Sequence, residues 1–216
     1  PDVPRGSPDG DLRLDPLPWA RREARAIGRL VGPHRGTVHL GAAASEHRMK
    51  EAASGVRIAH LAAHARADSA FPDRSAIFLT PGSDHEDGWL QPREIATLDL
   101  RGALVVLSAC ESAGGALIAG EGPLSLARAF FAGGAGAVVA TRWPLRDDDA
   151  AFMMDRFYRA LASGASAGSA LQRARRDAIA AGRPAAAWAG VALVGDGRAA
   201  PLGPGEPRER PRPLSA

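Results

Sequence analysis

The sequence predicts an α/β domain with a mainly parallel sheet and helices on both faces. Short apolar runs bounded by turn residues alternate with segments of helical periodicity, the pattern of strand–helix repeats. At 216 residues the chain has the length of one domain and enough material for a substantial core. Hydrophobic residues make up 45% and aromatic residues only 5%, so Ala, Leu, Val and Ile must build that core.

Residues 1–16 are rich in Pro, Gly and Asp and read as a linker or irregular lead-in. Ala20, Ala24, Ile27 and Val31 then recur in steps of 4, 3 and 4, which predicts a helix with one buried face, ended by Gly32-Pro33. Thr37 to Gly41 reads as a short strand, and Ser45 as the N-cap of a helix over Glu46 to Ala53. Residues 56–65 form one apolar strand with His64 at its end, followed by a polar stretch to Arg74. Ala76 to Thr80 is strand-like, and Pro92 opens a short helix within Trp89 to Leu100.

Residues 103–115 read as a buried strand running into a small-residue turn, with Cys110 where the strand stops. Pro123 opens a helix that Gly133-Gly134 ends, and Ala137 to Arg142 is a further buried strand leading to Trp143-Pro144 and Asp147-Asp148-Asp149. Two helices follow. Ala150, Met154, Phe157 and Leu161 mark the apolar stripe of one; Ala167, Leu171, Ala174 and Ala178 mark the other. Trp188 to Val194 is the last strand, and the Pro/Arg-rich residues 198–216 read as a disordered tail.

The formal charge is +3, but it is unevenly spread. Residues 60–155 hold 7 Arg against 13 Asp plus Glu, a net of −6, which leaves +9 on the flanks. An acidic central half argues against a nucleic-acid face and is compatible with a cationic substrate. A single Cys excludes an internal disulfide, and with no signal peptide and no apolar run of membrane length the chain reads as cytoplasmic and without a membrane partner. No His/Cys/Asp cluster has metal-ligand spacing, so we expect no metal and no cofactor.

In parallel α/β sheets, active sites form beyond the carboxyl ends of the strands. His64 and Cys110, 46 residues apart, both fall there in this reading, as does the Trp143 loop. A thiolate is a nucleophile that an adjacent imidazole can generate, and backbone N–H groups can hold the oxyanion that forms. Cys110 would be the nucleophile and His64 the general acid/base, with the N–H groups of Cys110 and Ala65 as oxyanion donors. Pattern alone leaves a second reading open, in which Cys110 is a buried structural thiol. His60 alternates with the apolar positions of its strand and reads as a core histidine. Asp147 to Asp149 serve equally as an acidic first turn that suits the helix dipole.

Several ordered motifs resemble the CHAT domain, a caspase-like family of clan CD cysteine peptidases related to the separase protease domain. They are Ile58-Ala59-His60-Leu61-Ala62-Ala63-His64, Leu104 to Glu111, Gly120-Glu121-Gly122 with Leu126 to Phe130, Gly134 to Ala140, Trp143-Pro144, Phe157-Tyr158 and Val194-Gly195-Asp196. The resemblance covers residues 17–197. It implies a caspase–haemoglobinase-like three-layer sandwich and peptide-bond hydrolysis through a Cys110–His64 dyad and an acyl-enzyme. It also implies a protein or peptide substrate and a larger parent chain or partner that activates the domain, with roles in bacterial defence or programmed cell death among relatives. An acid in the loop after the Trp strand binds a basic P1 side chain in separase-like relatives, which directs attention to Asp147, Asp148 and Asp149, foremost Asp148, beside Trp143. The family's usual His-Gly is His64-Ala65 here, and its Glu-Thr is Glu111-Ser112. The alternative function is a catalytically degenerate CHAT-type peptide-binding or signalling module; a thiol hydrolase or acyl transferase on a related fold is a weaker third.

Overall fold

The computed structural model describes residues 17–68, 71–82, 86–108 and 126–203. The residues 1–16 lead-in, Cys110 with the loop to Gly122, Pro123 and Leu124 at the expected helix start, and the tail from 204 lie outside them.

A four-stranded sheet runs in the order β1 (Ile58–Leu61), β5 (Leu104–Leu107), β6 (Ala137–Thr141), β7 (Val191–Gly195). The first three are parallel, and β7 runs antiparallel to β6. Pleating sends alternate side chains to opposite faces, and both faces are apolar. Val105, Leu107, Val138 and Ala140 enter one core with Ile95 and Phe130. Leu104, Val106, Ala137 and Val139 enter another with Met153, Phe157 and Leu171. On the first face lie α2 (Glu46–Ala52), α3 (Pro92–Ile95), α4 (Ala127–Ala132) and a small second sheet. On the second lie α1 (Pro18–Val31), α5 (Asp147–Ala162) and α6 (Ala167–Ala180). The result is the α/β three-layer arrangement with a mainly parallel central sheet.

Three elements differ from the sequence reading. The expected strand over residues 56–65 is two strands: β1 ends at Leu61, and β2 (His64–Arg66) starts a separate antiparallel sheet, ordered β2-β3-β4, with β3 (Ala76–Phe78) and β4 (Trp89–Leu90). His64 therefore opens β2 instead of closing β1. Thr37 to Gly41 is not a strand: Leu40 is extended, but no ladder partner lies beside it among the described residues. Trp188 ends the short helix α7 (Ala185–Trp188), and the last strand begins only after Gly190. Beyond Gly197, residues 198–203 fold back on α6, where the Ala167 N–H donates to the Ala199 carbonyl at 2.8 Å and Pro201 is buried.

One polar cluster fastens the second sheet. Ser45 caps α2 by accepting the Arg48 N–H, as expected. The next residue, Glu46, is fully buried, and its Oε2 accepts the Gly88 N–H at 2.9 Å. Gly88 has φ +87°, and a Cβ there would lie 2.5 Å from the Leu79 carbonyl oxygen, so only glycine fits. Lys50, the only lysine, bridges Glu46 and Glu94. Burial pushes the Glu46 carboxyl above its usual range, against the pull of Lys50 and the Gly88 N–H. Removing one partner of a buried pair strands the other charge. Lys50→Met is expected to cost about 3 kcal/mol in urea denaturation. Adding Glu46→Gln should recover most of that loss, since the amide still accepts from Gly88 and carries no charge.

Candidate active site

The parallel register pairs Leu61 of β1 with Leu107 of β5, and the Ser108 N–H donates to the Leu61 carbonyl at 3.0 Å. His64 follows Leu61 by three residues, and position 110 follows Leu107 by three. Both chains leave the sheet at the same carboxyl end, where β6 leads into Trp143 and α5. Cys110 itself lies outside the described residues.

His64 is buried at 2% exposure and pairs with Phe78 across the β2–β3 ladder. Ala65 pairs with Ile77. The direction of the Ala65 amide follows from ladder alternation. Leu79 N–H donates to the Gly88 carbonyl at 2.8 Å, so the next hydrogen-bonded pair in that ladder is Ile77 with Leu90. The Ile77 main-chain groups thus point to β4, and those of Phe78 point to His64. Ala65 sits opposite Ile77 in the non-bonded pair, so its N–H points away from β3, to the side of β2 where no strand pairs among the described residues. No non-glycine residue among those described has a positive φ, so alanine at 65 needs no strained backbone.

The three aspartates at the start of α5 have different surroundings. Asp149 is buried and ion-paired with Arg183. Asp148 meets Arg146 Nε at 3.1 Å and Arg183 Nη1 at 3.3 Å. Slight burial opposes them, but these guanidiniums hold its carboxyl below the usual range. Asp147 has no basic side chain paired with it among the described residues. Its Oδ2 accepts the Trp19 N–H of α1 at 3.0 Å, and it lies within electrostatic range of His64, Glu23 and Asp148. Burial raises its pKa, with Glu23 and Asp148 adding to the rise while the Trp19 N–H and His64 oppose it. Asp147 thus lies within electrostatic range of His64, while Asp148, the acid the sequence singled out, is engaged by two arginines.

Trp143 is 37% exposed and donates its indole N–H to the Ala186 carbonyl at 2.9 Å. Its ring lies on Gly190, where a Cβ would sit 2.4 Å from the indole. Its visible ties are to α7 and Gly190.

Sequence reasoning missed two features. Thr141, at the carboxyl end of β6, is buried with its hydroxyl unpartnered, and a β-branched residue ending an apolar strand gives no signal of that. Glu23 is the one fully buried residue of α1. It accepts from His60 Nε2 at 2.9 Å, while the opposite ring nitrogen, Nδ1, meets the Tyr158 hydroxyl at 3.0 Å. Burial, then Glu23, pushes the Tyr158 phenol well above its usual pKa, so it stays a donor to Nδ1. His60 is the core histidine the sequence suggested. Among the described residues no cluster of His, Cys, Asp and Glu has metal-binding geometry, and no helix is long and apolar enough to cross a membrane.

A mainly parallel central sheet with helices on both faces is an α/β sandwich compatible with a caspase-like fold. The CHAT domain profile matches residues 1–196, and the chain belongs to that family, a caspase-like, protease-related group. No curated protein matches the sequence.

The raised Asp147 carboxyl sets a pH dependence. An acid whose folded pKa is raised contributes stability below its unfolded pKa and loses it as pH rises through the folded value. Asp147→Asn should therefore be more stable than the parent near pH 7 and lose that advantage near pH 3, as read by melting temperature across pH. Gly190→Ala should displace Trp143 and destabilise the fold by about 1–3 kcal/mol, visible as a red-shifted indole emission and a lower urea midpoint.

Proposed function

We propose that this chain is a cysteine endopeptidase in which Cys110 attacks the scissile carbonyl of a protein or peptide substrate and His64 transfers the proton. The observation that carries the reading is the Leu61–Leu107 register: two neighbouring strands end level at the same carboxyl end, three residues before His64 on one and three residues before position 110 in sequence on the other. Three extended residues reach about 10 Å, ample to bring an imidazole and a thiol together from neighbouring strands. The thiolate forms an acyl-enzyme as the amine leaves with a proton from His64, and water, deprotonated by the same imidazole, releases the acid.

Ala65 supports this reading over a degenerate binding module. Its amide points away from β3 on the side of β2 that has no strand partner among the described residues, beside His64, as suits an oxyanion donor, and alanine reaches that position without strain. Asp147 supplies the substrate preference. It is the first-turn aspartate with no arginine paired to it among the described residues and lies within electrostatic range of His64, so an Arg or Lys side chain at P1 would complete its pairing. Activation by a partner or by the rest of a larger parent chain belongs to the same proposal.

A peptide-library assay tests it. Cleavage should follow Arg or Lys and vanish in Cys110→Ala, and His64→Ala should lower turnover by at least about 100-fold. Asp147→Asn should lower kcat/KM for Arg-P1 peptides by about tenfold or more and leave Leu-P1 peptides unchanged. Cleavage that persists in Cys110→Ala would sink the assignment.

A further inference from the structure

Helix α1 is held to the body of the protein in an unusual way. It packs along α5, yet its only fully buried residue is a carboxylate, Glu23. Its apolar residues are half-buried or, at Trp19 and Leu30, exposed, and a cavity of about 280 Å³ lies between the two helices, lined by Glu23, Ile27, Leu30 and Tyr158 among others. Two polar ties bridge this loose apolar seam. One is the chain Glu23–His60–Tyr158, which links α1 to β1 and α5. The other is the Trp19 N–H to Asp147, at the end nearer His64.

The second tie is made by the backbone. The Trp19 indole is 40% exposed and lies beneath Arg22 of its own helix at 4.6 Å. Trp19 follows Pro18 in the first turn of α1, where amide protons have no intrahelical acceptor. That amide goes to one oxygen of Asp147, and no hydrogen bond reaches the other among the described residues. A carboxylate anchored by one oxygen is oriented for a partner at the second.

We propose that the first turn of α1 is part of the substrate site: the Trp19 main-chain amide orients Asp147 for a cationic side chain, and the Glu23–His60–Tyr158 chain locks α1 in place to do so. This rests on Asp147 being the acid that recognises a basic P1 residue. It makes Trp19 a positioning residue that acts through its backbone, and it makes the docking of α1 a condition for charge selectivity. An event that pulls α1 away would disorient the acid while leaving His64 on its own sheet.

Proline at position 19 removes the amide and is tolerated in a first turn, whereas alanine removes the indole and keeps the amide. Both are made in the Cys110→Ala protein, so that peptide binding is read without turnover. Fluorescence anisotropy of matched Arg-P1 and Leu-P1 peptides gives a binding ratio, and carbon-detected NMR gives the titration of the Asp147 carboxyl. Trp19→Pro should cut the Arg:Leu ratio about tenfold and raise the Asp147 pKa; Trp19→Ala should change the ratio by less than about twofold. Tyr158→Phe, which removes one link of the lock, should lower the ratio in the same direction. Equal losses in Trp19→Pro and Trp19→Ala, or an unchanged ratio and titration in Trp19→Pro, overturn the proposal. If Trp19→Pro does not fold, Tyr158→Phe decides alone, and an unchanged ratio there overturns the lock. An unchanged ratio in Asp147→Asn, or binding of neither peptide by the parent, overturns the reading of Asp147 itself and the proposal with it. Loss of Arg preference in Asp147→Asn with an indifferent Trp19→Pro overturns the proposal alone.

Discussion

The parallel pairing of β1 with β5 is the constraint on which the functional end depends. Its four register pairs, Ile58–Leu104 through Leu61–Leu107, fix where two chain segments leave the sheet. β5 is buried on both faces, one residue feeding each core in turn, and β1 sends Ala59 and Leu61 into the first core with half-buried Ile58 against the second. A slip of one residue would exchange the faces of a whole strand, so the register is strongly specified. The spacing of the two departure points therefore inherits the precision of core packing.

His64 nonetheless stands on a second sheet. After Leu61 the chain turns at Ala62-Ala63 and pairs with β3, whose far side is fastened through Gly88 to the buried Glu46. The histidine is held by the small sheet, and the departure point of the position 110 segment by the large one. Relative movement of the two sheets would alter their distance without unfolding either. The ladder that pairs His64 with Phe78 also turns the Ala65 amide away from β3, so one hydrogen-bonding phase sets both the proposed base and the proposed oxyanion donor.

Much of this was legible in the sequence where apolar periodicity was strong. The stripes of α5 and α6 sit in the core as read, and the runs at Leu104 and Ala137 are central strands. The Ser45 cap and the Pro92 helix start also follow from local chemistry. The break within residues 56–65 was hidden because Ala62 and Ala63 suit a strand, a turn or a core equally. Thr37 to Leu40 has strand-forming residues, but a strand needs a neighbour, and Val38 instead covers Gly28 of α1. The different roles of three consecutive aspartates could not be read from a run of identical letters. They are set by Arg183, 34 residues beyond Asp149, and by the Trp19 amide, 128 residues before Asp147.

The distribution of compensated charge gives the site its chemical sense. Each fully buried carboxylate among the described residues has a cationic or imidazole partner: Glu23 has His60, Glu46 has Lys50 and Asp149 has Arg183. Such pairing is what makes a buried charge tolerable. Asp147 is the exception in this series. It is partly desolvated, raised by its surroundings, and receives one main-chain N–H where its two neighbours receive guanidinium groups. An acid left incompletely paired costs the free protein some stability and gains most from an incoming cation, because the desolvation has already occurred before the ligand arrives. The same arithmetic explains why the fold offers Arg183 to Asp148 and Asp149 but leaves Asp147 to α1. A second arginine there would stabilise the chain and close the place where a basic side chain could bind.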